Sequence, residues 1–187
     1  MGKRFGALLA VLLLGGCASV ELPPHQTETY PPPVFAPHFI LRGRLSIRVE
    51  QKIDNATLRW QRSSGLERLQ FFTPLGSQVA EIEQLENAPA ILRQGEARSA
   101  REAPSIALLT SEMLGVALDT GKVVRWTQGI ELTEGTATMV NMGDGQLWSV
   151  MADQFRHEGN HRVVSRLTAI RGDTVIKLVI DEWEALD

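Results

Sequence analysis

The regular alternation of apolar and polar residues that begins at Phe39 constrains the fold of this chain more than any other feature. Between residues 39 and 50, every second residue is apolar and most of the residues between them are charged. A period of two is typical of a β-strand with one face in a core and the other in water. Gly43 falls on the apolar face, where a missing side chain predicts a bend or the close approach of another backbone. The sequence therefore predicts that a half-buried sheet begins at Phe39.

Turn-forming residues divide the next part of the chain into short predicted strands. They lie at residues 56–62, 69–72, 77–86, 90–93 and 97–100. The segment Thr73-Pro74-Leu75-Gly76 suits a type I turn, because proline favours its second position and glycine its fourth. Leu75 is unusual in this segment, since the tip of a turn normally carries a polar residue.

The middle of the chain changes to helical spacing. Apolar residues between 106 and 114 recur every three or four positions, which predicts a helix with Pro104 in its first turn and Gly115 at its end. A second short helix is predicted at residues 120–128. The order of strands, two short helices and more strands favours a mainly β, α+β fold in which an antiparallel sheet curls around the helices.

Two glycine-containing turns predict hairpins in the last third of the chain. Gly143-Asp144-Gly145 and Gly172-Asp173 each separate two runs rich in β-branched and aromatic residues. The predicted strand pairs are residues 136–142 with 146–153, and residues 163–170 with 174–183.

The beginning of the sequence has the pattern of a lipoprotein leader. Lys3 and Arg4 precede an apolar run at residues 5–14, which is shorter than the roughly 20 residues of a membrane-spanning helix. The segment Leu14-Gly15-Gly16-Cys17 resembles a bacterial lipobox. This resemblance implies that residues 1–16 are removed and that Cys17 carries acyl chains, which anchor the mature protein to a membrane.

Composition limits what the mature chain can do. Removal of the leader leaves 171 of 187 residues and changes the formal net charge from −3 to −5, because the leader carries two basic residues and no acidic one. This mild acidity argues against nucleic acid as a partner. Cys17 is the only cysteine, so no intramolecular disulfide can form.

Six prolines in residues 17–38 predict an extended tether before a domain at residues 39–187.

Taken together, these features resemble the LolB family of outer-membrane lipoprotein receptors. The matching residues are spread over most of the mature chain: Leu41-Arg42-Gly43-Arg44-Leu45-Ser46-Ile47-Arg48, Leu58-Arg59-Trp60, Thr73-Pro74-Leu75-Gly76-Ser77, Glu112-Met113-Leu114-Gly115, Trp126, Gly129, Trp148 and Leu178-Val179-Ile180-Asp181-Glu182-Trp183. The resemblance implies an open half-barrel antiparallel sheet that encloses an apolar cavity closed by short helices.

The resemblance also implies a function. It implies a monomeric acceptor without a cofactor that receives lipoproteins from the periplasmic carrier LolA and inserts them into the outer membrane. Ala18 after Cys17 agrees with outer-membrane anchoring, with the domain in the periplasm. The loop of Pro74, Leu75 and Gly76 would contact membrane lipid, with Leu75 protruding. The client's acyl chains would occupy a cavity whose candidate lining residues are Leu45, Ile47, Leu58, Trp60, Phe71, Trp126, Trp148, Leu178 and Ile180.

The residue pattern alone leaves other functions open. For each candidate lining residue, the pattern alone favours an ordinary place in a filled core, as in a structural lipoprotein of an envelope complex. Another anchored protein that binds glycolipid or phospholipid fits as well. The sequence lacks the Gly-x-Ser-x-Gly motif of a lipase, which argues against a hydrolase. His157 and His161 flank a predicted loop, and we expect no metal site there.

Overall fold

The computed structural model describes residues 34–95, 99–142 and 145–186. These residues belong to one compact unit, Pro32–Asp187. The leader, the lipobox with Cys17 and most of the predicted tether lie outside the described residues. Their predictions are therefore not tested by the structure.

Among the described residues, ten strands form one sheet, and two short helices follow the sixth strand. In chain order the elements are β1 Phe39–Val49, β2 Lys52–Ser63, β3 Leu66–Phe72, β4 Gln78–Leu85, β5 Ala90–Gln94, β6 Ser99–Ala103, α1 Ile106–Leu114, α2 Thr120–Thr127, β7 Ala137–Asn141, β8 Leu147–Glu158, β9 His161–Arg171 and β10 Thr174–Ala185.

The sheet is antiparallel throughout and open. Its strand order is β6-β5-β4-β3-β2-β1-β10-β9-β8-β7, so the first and last strands pair at its centre. Strands β6 and β7 form its two edges and are not paired with each other in the described part of the chain. The helices connect these two edges, and their buried side chains join the apolar face of the sheet in one core. The predicted open antiparallel half-barrel closed by short helices is confirmed.

Antiparallel neighbours place alternate connections at the same end of the sheet. The C-terminal ends of β1, β3, β5, β7 and β9 therefore share one end with the beginnings of β2, β4, β6, β8 and β10. We call this the mouth end. The β3–β4 turn with Leu75 lies there. The β2–β3, β4–β5 and β8–β9 turns lie at the opposite end.

Gly43 makes the close approach that its position predicts. A Cβ atom at Gly43 would lie 2.3 Å from the carbonyl oxygen of Val179, so no larger side chain fits without moving the backbone. The pairing of β1 with β10 shifts register at this point.

Nearby, the Arg44 guanidinium donates hydrogen bonds of 3.1 and 2.9 Å to the Asp181 carboxylate. These bonds, and the attraction between the two charges, raise the pKa of Arg44 above its ordinary value.

Several strands extend beyond their predicted bounds. Strand β2 begins four residues early, β8 continues to Glu158, and β9 begins at His161. Strand β3 also begins early, and the strand predicted at 97–100 is β6, which reaches Ala103. Backbone pairing continues through these polar segments because ladder hydrogen bonds do not require apolar side chains. The loop predicted around residues 157–161 is therefore only a tight turn.

The first helix begins at Ile106, two residues after the proline that the sequence predicts in its first turn. Ser105 is its N-cap, and the Ser105 hydroxyl accepts a hydrogen bond of 3.4 Å from the backbone N–H of Leu108. Pro104 therefore precedes the cap. Gly115 ends the helix as predicted, in the left-handed conformation with φ of 72°.

The packed unit extends into the predicted tether. Ala36 and the Gln128 side chain are both buried. The backbone N–H of Ala36 donates to Gln128 Oε1 at 2.7 Å, and Gln128 Nε2 donates to the Ala36 carbonyl oxygen at 2.8 Å. The Nδ1 atom of His161 lies 3.0 Å from the carbonyl oxygen of Val34. Because His161 begins β9, these contacts hold the described N-terminal segment at the end of the sheet opposite the mouth end.

Candidate functional site

A largely enclosed apolar cavity of about 40 Å³, called the enclosed cavity below, lies between the sheet and the segment that contains α2. The described lining carries no ionisable group, and Thr120 is its one polar member, so the cavity suits a hydrocarbon. Its lining residues are Leu45, Leu58, Trp60, Leu69, Phe71, Leu118, Thr120, Val123, Trp126, Met142, Leu167, Ala169, Ile176 and Leu178.

A larger crevice of about 200 Å³ lies beside this cavity, at the mouth end. Leu45 and Phe71 contribute to the walls of both spaces, so these side chains lie at the boundary between the crevice and the cavity. The remaining crevice residues come from the mouth-end halves of β1, β2, β4 and β5 and from the end of α1: Ile47, Asp54, Asn55, Ala56, Val79, Ala80, Gln94, Met113 and Leu114. The crevice thus has an apolar floor and polar groups at its margin.

The β3–β4 turn presents Leu75 to solvent beside this crevice. The backbone N–H of Gly76 donates to the Thr73 carbonyl at 2.9 Å, and the Thr73 N–H donates to the Ser77 carbonyl at 2.8 Å. Gly76 has a φ of 86°, a conformation that glycine adopts without strain. The turn is therefore held by its backbone, and Leu75 is 96% exposed. Val79, four residues later, lines the crevice.

The family model described as "Outer membrane lipoprotein LolB" matches residues 37–183, which include nearly all of the sheet and both helices. The chain belongs to the LolB family.

Sequence relatives of this LolB-family chain extend over almost its whole length. The Outer-membrane lipoprotein LolB of Thiobacillus denitrificans is 27% identical, with 92% of each chain covered. The LolB protein of Nitrosomonas europaea is also 27% identical, over 98% of this chain and 93% of the relative. That of Dechloromonas aromatica is 28% identical over 98% of both chains.

A solved structure shares the fold at low sequence identity. The DUF1329 family protein from Desulfovibrio piger superimposes with a TM-score of 0.56 and is 9% identical, with 80% of this chain and 86% of that protein covered. At this identity the likeness shows the fold alone.

The nine predicted cavity residues occupy three kinds of position in this LolB-family fold. Those that line the enclosed cavity are Leu45, Leu58, Trp60, Phe71, Trp126 and Leu178. Ile47 lines the crevice instead. Trp148 and Ile180 are fully buried in the core but line neither space. Contact of any of these residues with an acyl chain stays a prediction.

The sequence reasoning missed about half of the cavity wall. Leu69 is two residues before Phe71 on the same face of β3, so the period of two could have identified it. Ala169 and Ile176 form a cross-strand pair that faces inward, which the predicted hairpin could also have supplied. Val123 is three residues before Trp126 on the same face of α2, so helical spacing could have identified it. Leu118 had no such signal, because it comes from the connection between the helices.

His157 and His161 lie directly beside the β8–β9 turn and take part in strand pairing. The His161 ring lies 5.0 Å from the Trp183 ring, measured between centroids. Within residues 34–95, 99–142 and 145–186, no group of three or more His, Cys, Asp or Glu side chains is arranged to hold a metal ion. The same residues contain no helix of sufficient length and apolarity to cross a membrane.

Proposed function

We propose that this protein receives lipoproteins from a LolA-like periplasmic carrier and places them in the outer membrane. The observation that carries the proposal is that the apolar crevice and the exposed Leu75 lie at the same end of the sheet. The relatives named Outer-membrane lipoprotein LolB support this assignment. The domain works as a monomer on the periplasmic side, and the client's acyl chains enter through the crevice.

Burial of hydrocarbon supplies the driving force for this transfer. Each buried CH₂ group contributes about 0.8 kcal/mol, so an acyl chain with a dozen or more methylenes gains on the order of 10 kcal/mol. The transfer therefore needs neither nucleotide nor metal. The client leaves the carrier for this protein and then leaves this protein for the bilayer, where its chains are fully surrounded by lipid.

The enclosed cavity has to widen before an acyl chain fits. Its volume of about 40 Å³ is well below the ~300 to 1,000 Å³ of ordinary small-molecule pockets. Leu118, Val123 and Trp126 form the helical side of the wall, and they belong to a connection and a helix of only eight residues. This segment is the part of the wall that moves, because the opposite wall is a continuous hydrogen-bonded sheet.

A purified two-protein assay tests the proposed transfer. A lipoprotein bound to its periplasmic carrier is mixed with this protein in buffer containing a chelator and no nucleotide. We expect the client to move to this protein, as measured by affinity separation and immunoblotting. A requirement for ATP, or the absence of any transfer at excess acceptor, would contradict the proposal.

Anchoring through Cys17 forms a separate part of the proposal. Changing Cys17 to serine removes the thiol that accepts the lipid, and we expect the leader to remain attached and the acyl chains to be absent. Mass spectrometry of the N-terminal peptide from bacterial membranes measures both. The natural protein should begin at an acylated Cys17, and an unmodified Cys17 in its mature form would rule out this anchor.

The small size of the enclosed cavity favours a second candidate, a structural lipoprotein with a filled core. A hydrophobic fluorescent dye distinguishes the two functions. An acceptor should bind the dye and release it when a lipoprotein is added. A scaffold should bind no dye, since its core offers no space.

A further inference from the structure

Most large apolar side chains that are exposed on the sheet lie near the mouth end. Besides Leu75, they include four on the outer face, which is the face turned away from the core. These four residues, called the outer strip, are Ile53, Met139, Leu147 and Ile170. Met139 is 60% exposed and Leu147 is 63% exposed. Elsewhere, Val34, Phe35 and Leu85 are exposed at the opposite end and Leu108 on α1.

Strand register places the outer strip in one band. Met139 pairs with Ser149, and Ser149 pairs with Ile170. The row continues from Ile170 through Val175 and Arg48 to Ile53. Leu147 is two residues from Ser149 on the same face of β8. Each member of the row lies within a few residues of a mouth-end strand terminus, so the band follows the rim of the mouth.

Two cations accompany the outer strip. Arg48 lies in the row itself, and Lys177 is two residues from Val175 on the same face of β10. Both are exposed, and in the part of the chain that the structure describes neither makes an ion pair. Further from the mouth, Arg42 and Arg44 are paired with Glu182 and Asp181.

The chemistry of this band fits a lipid bilayer that contains anionic phospholipid. Exposed apolar side chains beside unpaired cations are typical of surfaces that lie at the headgroup boundary. Glu50 and Asp173 occupy turns at the same rim and reduce the electrostatic attraction. The apolar side chains therefore supply most of the contact, and the cations supply a smaller part.

We propose that the outer strip is a second membrane contact, made when Leu75 inserts. This inference rests on the proposed delivery of lipoproteins to a membrane. Leu75 joins β3 to β4 in one half of the sheet, whereas Met139, Leu147 and Ile170 lie on β7, β8 and β9 in the other half. Two contacts on opposite halves of the rim hold the mouth against the bilayer, so a released acyl chain passes into lipid without crossing water.

Single introduced cysteines test this contact in the full-length lipidated chain. An environment-sensitive fluorophore is attached to Leu75→Cys, Met139→Cys, Leu147→Cys or Leu85→Cys in vesicles of phosphatidylethanolamine and phosphatidylglycerol that contain a lipid-borne quencher. Leu85 is the matched control, because it is 54% exposed on the outer face at the opposite end. The unsubstituted chain, labelled in parallel, gives the background at Cys17.

We expect the probes at residues 75, 139 and 147 to be quenched at least threefold more than the probe at residue 85. Quenching at residue 75 alone would overturn the proposal that the outer strip contacts the membrane, and it would leave the proposed function intact. Equal quenching at all four positions would overturn the proposed orientation, in which the mouth end lies against the bilayer. Absence of quenching at all four would count against both the outer-strip contact and the proposed delivery of lipoproteins. The Arg48→Gln, Lys177→Gln double variant should lower quenching at residue 139 about twofold. Unchanged quenching would show that Arg48 and Lys177 do not contribute to the membrane contact.

Discussion

Leu75→Glu should leave the protein folded and able to accept a lipoprotein, but should stop delivery of that lipoprotein to vesicles. The turn is held by backbone hydrogen bonds between Thr73, Gly76 and Ser77, and the Leu75 side chain is almost fully exposed. The free energy of unfolding should therefore change by less than about 0.5 kcal/mol. The substitution removes about 2 kcal/mol of apolar burial in lipid and adds a charge at the point of insertion. We expect at least a tenfold decrease in delivery.

Three measurements separate holding a client from delivering it. Thermal unfolding reports stability, carrier-to-acceptor transfer reports loading, and incorporation into vesicles reports delivery. Leu85→Glu is the control, because it changes another exposed leucine, at the opposite end of the sheet. Normal delivery by a stable Leu75→Glu protein would leave the turn without the function proposed here.

Leu45→Phe should block loading while leaving Leu75 and the outer strip intact. Leu45 and Phe71 line both the crevice and the enclosed cavity, so they border the passage that an acyl chain would take from one space to the other. A larger ring at Leu45 narrows this passage. Part of the added volume can enter the crevice, and the substitution should therefore destabilise the fold by about 1 to 3 kcal/mol. We expect transfer from the carrier to fall at least tenfold.

A second substitution at this position changes the chemistry instead of the volume. Leu45→Glu places a carboxylate at the passage and should also block loading, at a stability cost of several kcal/mol. Leu45→Met, which nearly preserves volume, should load within twofold of the natural protein. If Leu45→Phe remains folded and loads normally, the client does not pass from the crevice to the cavity.

The sheet was largely predictable because each strand carries its own signal. The alternation in β1 and the glycine turns of the two late hairpins predict the pairs that the structure contains. Gly43 was predictable for a different reason, since a missing side chain on a buried face has few explanations. The polar beginning of β2 was not predictable from periodicity, because its pairing comes from the neighbouring strand β1.

The candidate site was less predictable than the sheet. A period of two shows that Leu58 and Trp60 share a face, but it does not show which inward residues border empty space and which fill the core. Trp148 and Ile180 illustrate the difference, since both are buried and neither lines a cavity. The helical wall was harder still, because Leu118 acquires its place from the path of the chain between the helices, and Val123 from the packing of α2 against the sheet.

The proposed function depends most on the position of a client's acyl chain. A lipoprotein carrying a photoreactive acyl chain, loaded onto the full-length protein and irradiated, would report that position by mass spectrometry of the cross-linked peptides. The proposed function predicts cross-links to the peptides that contain Leu45, Phe71 and Trp126. Cross-links confined to the outer face of the sheet, with none in these peptides, would contradict it.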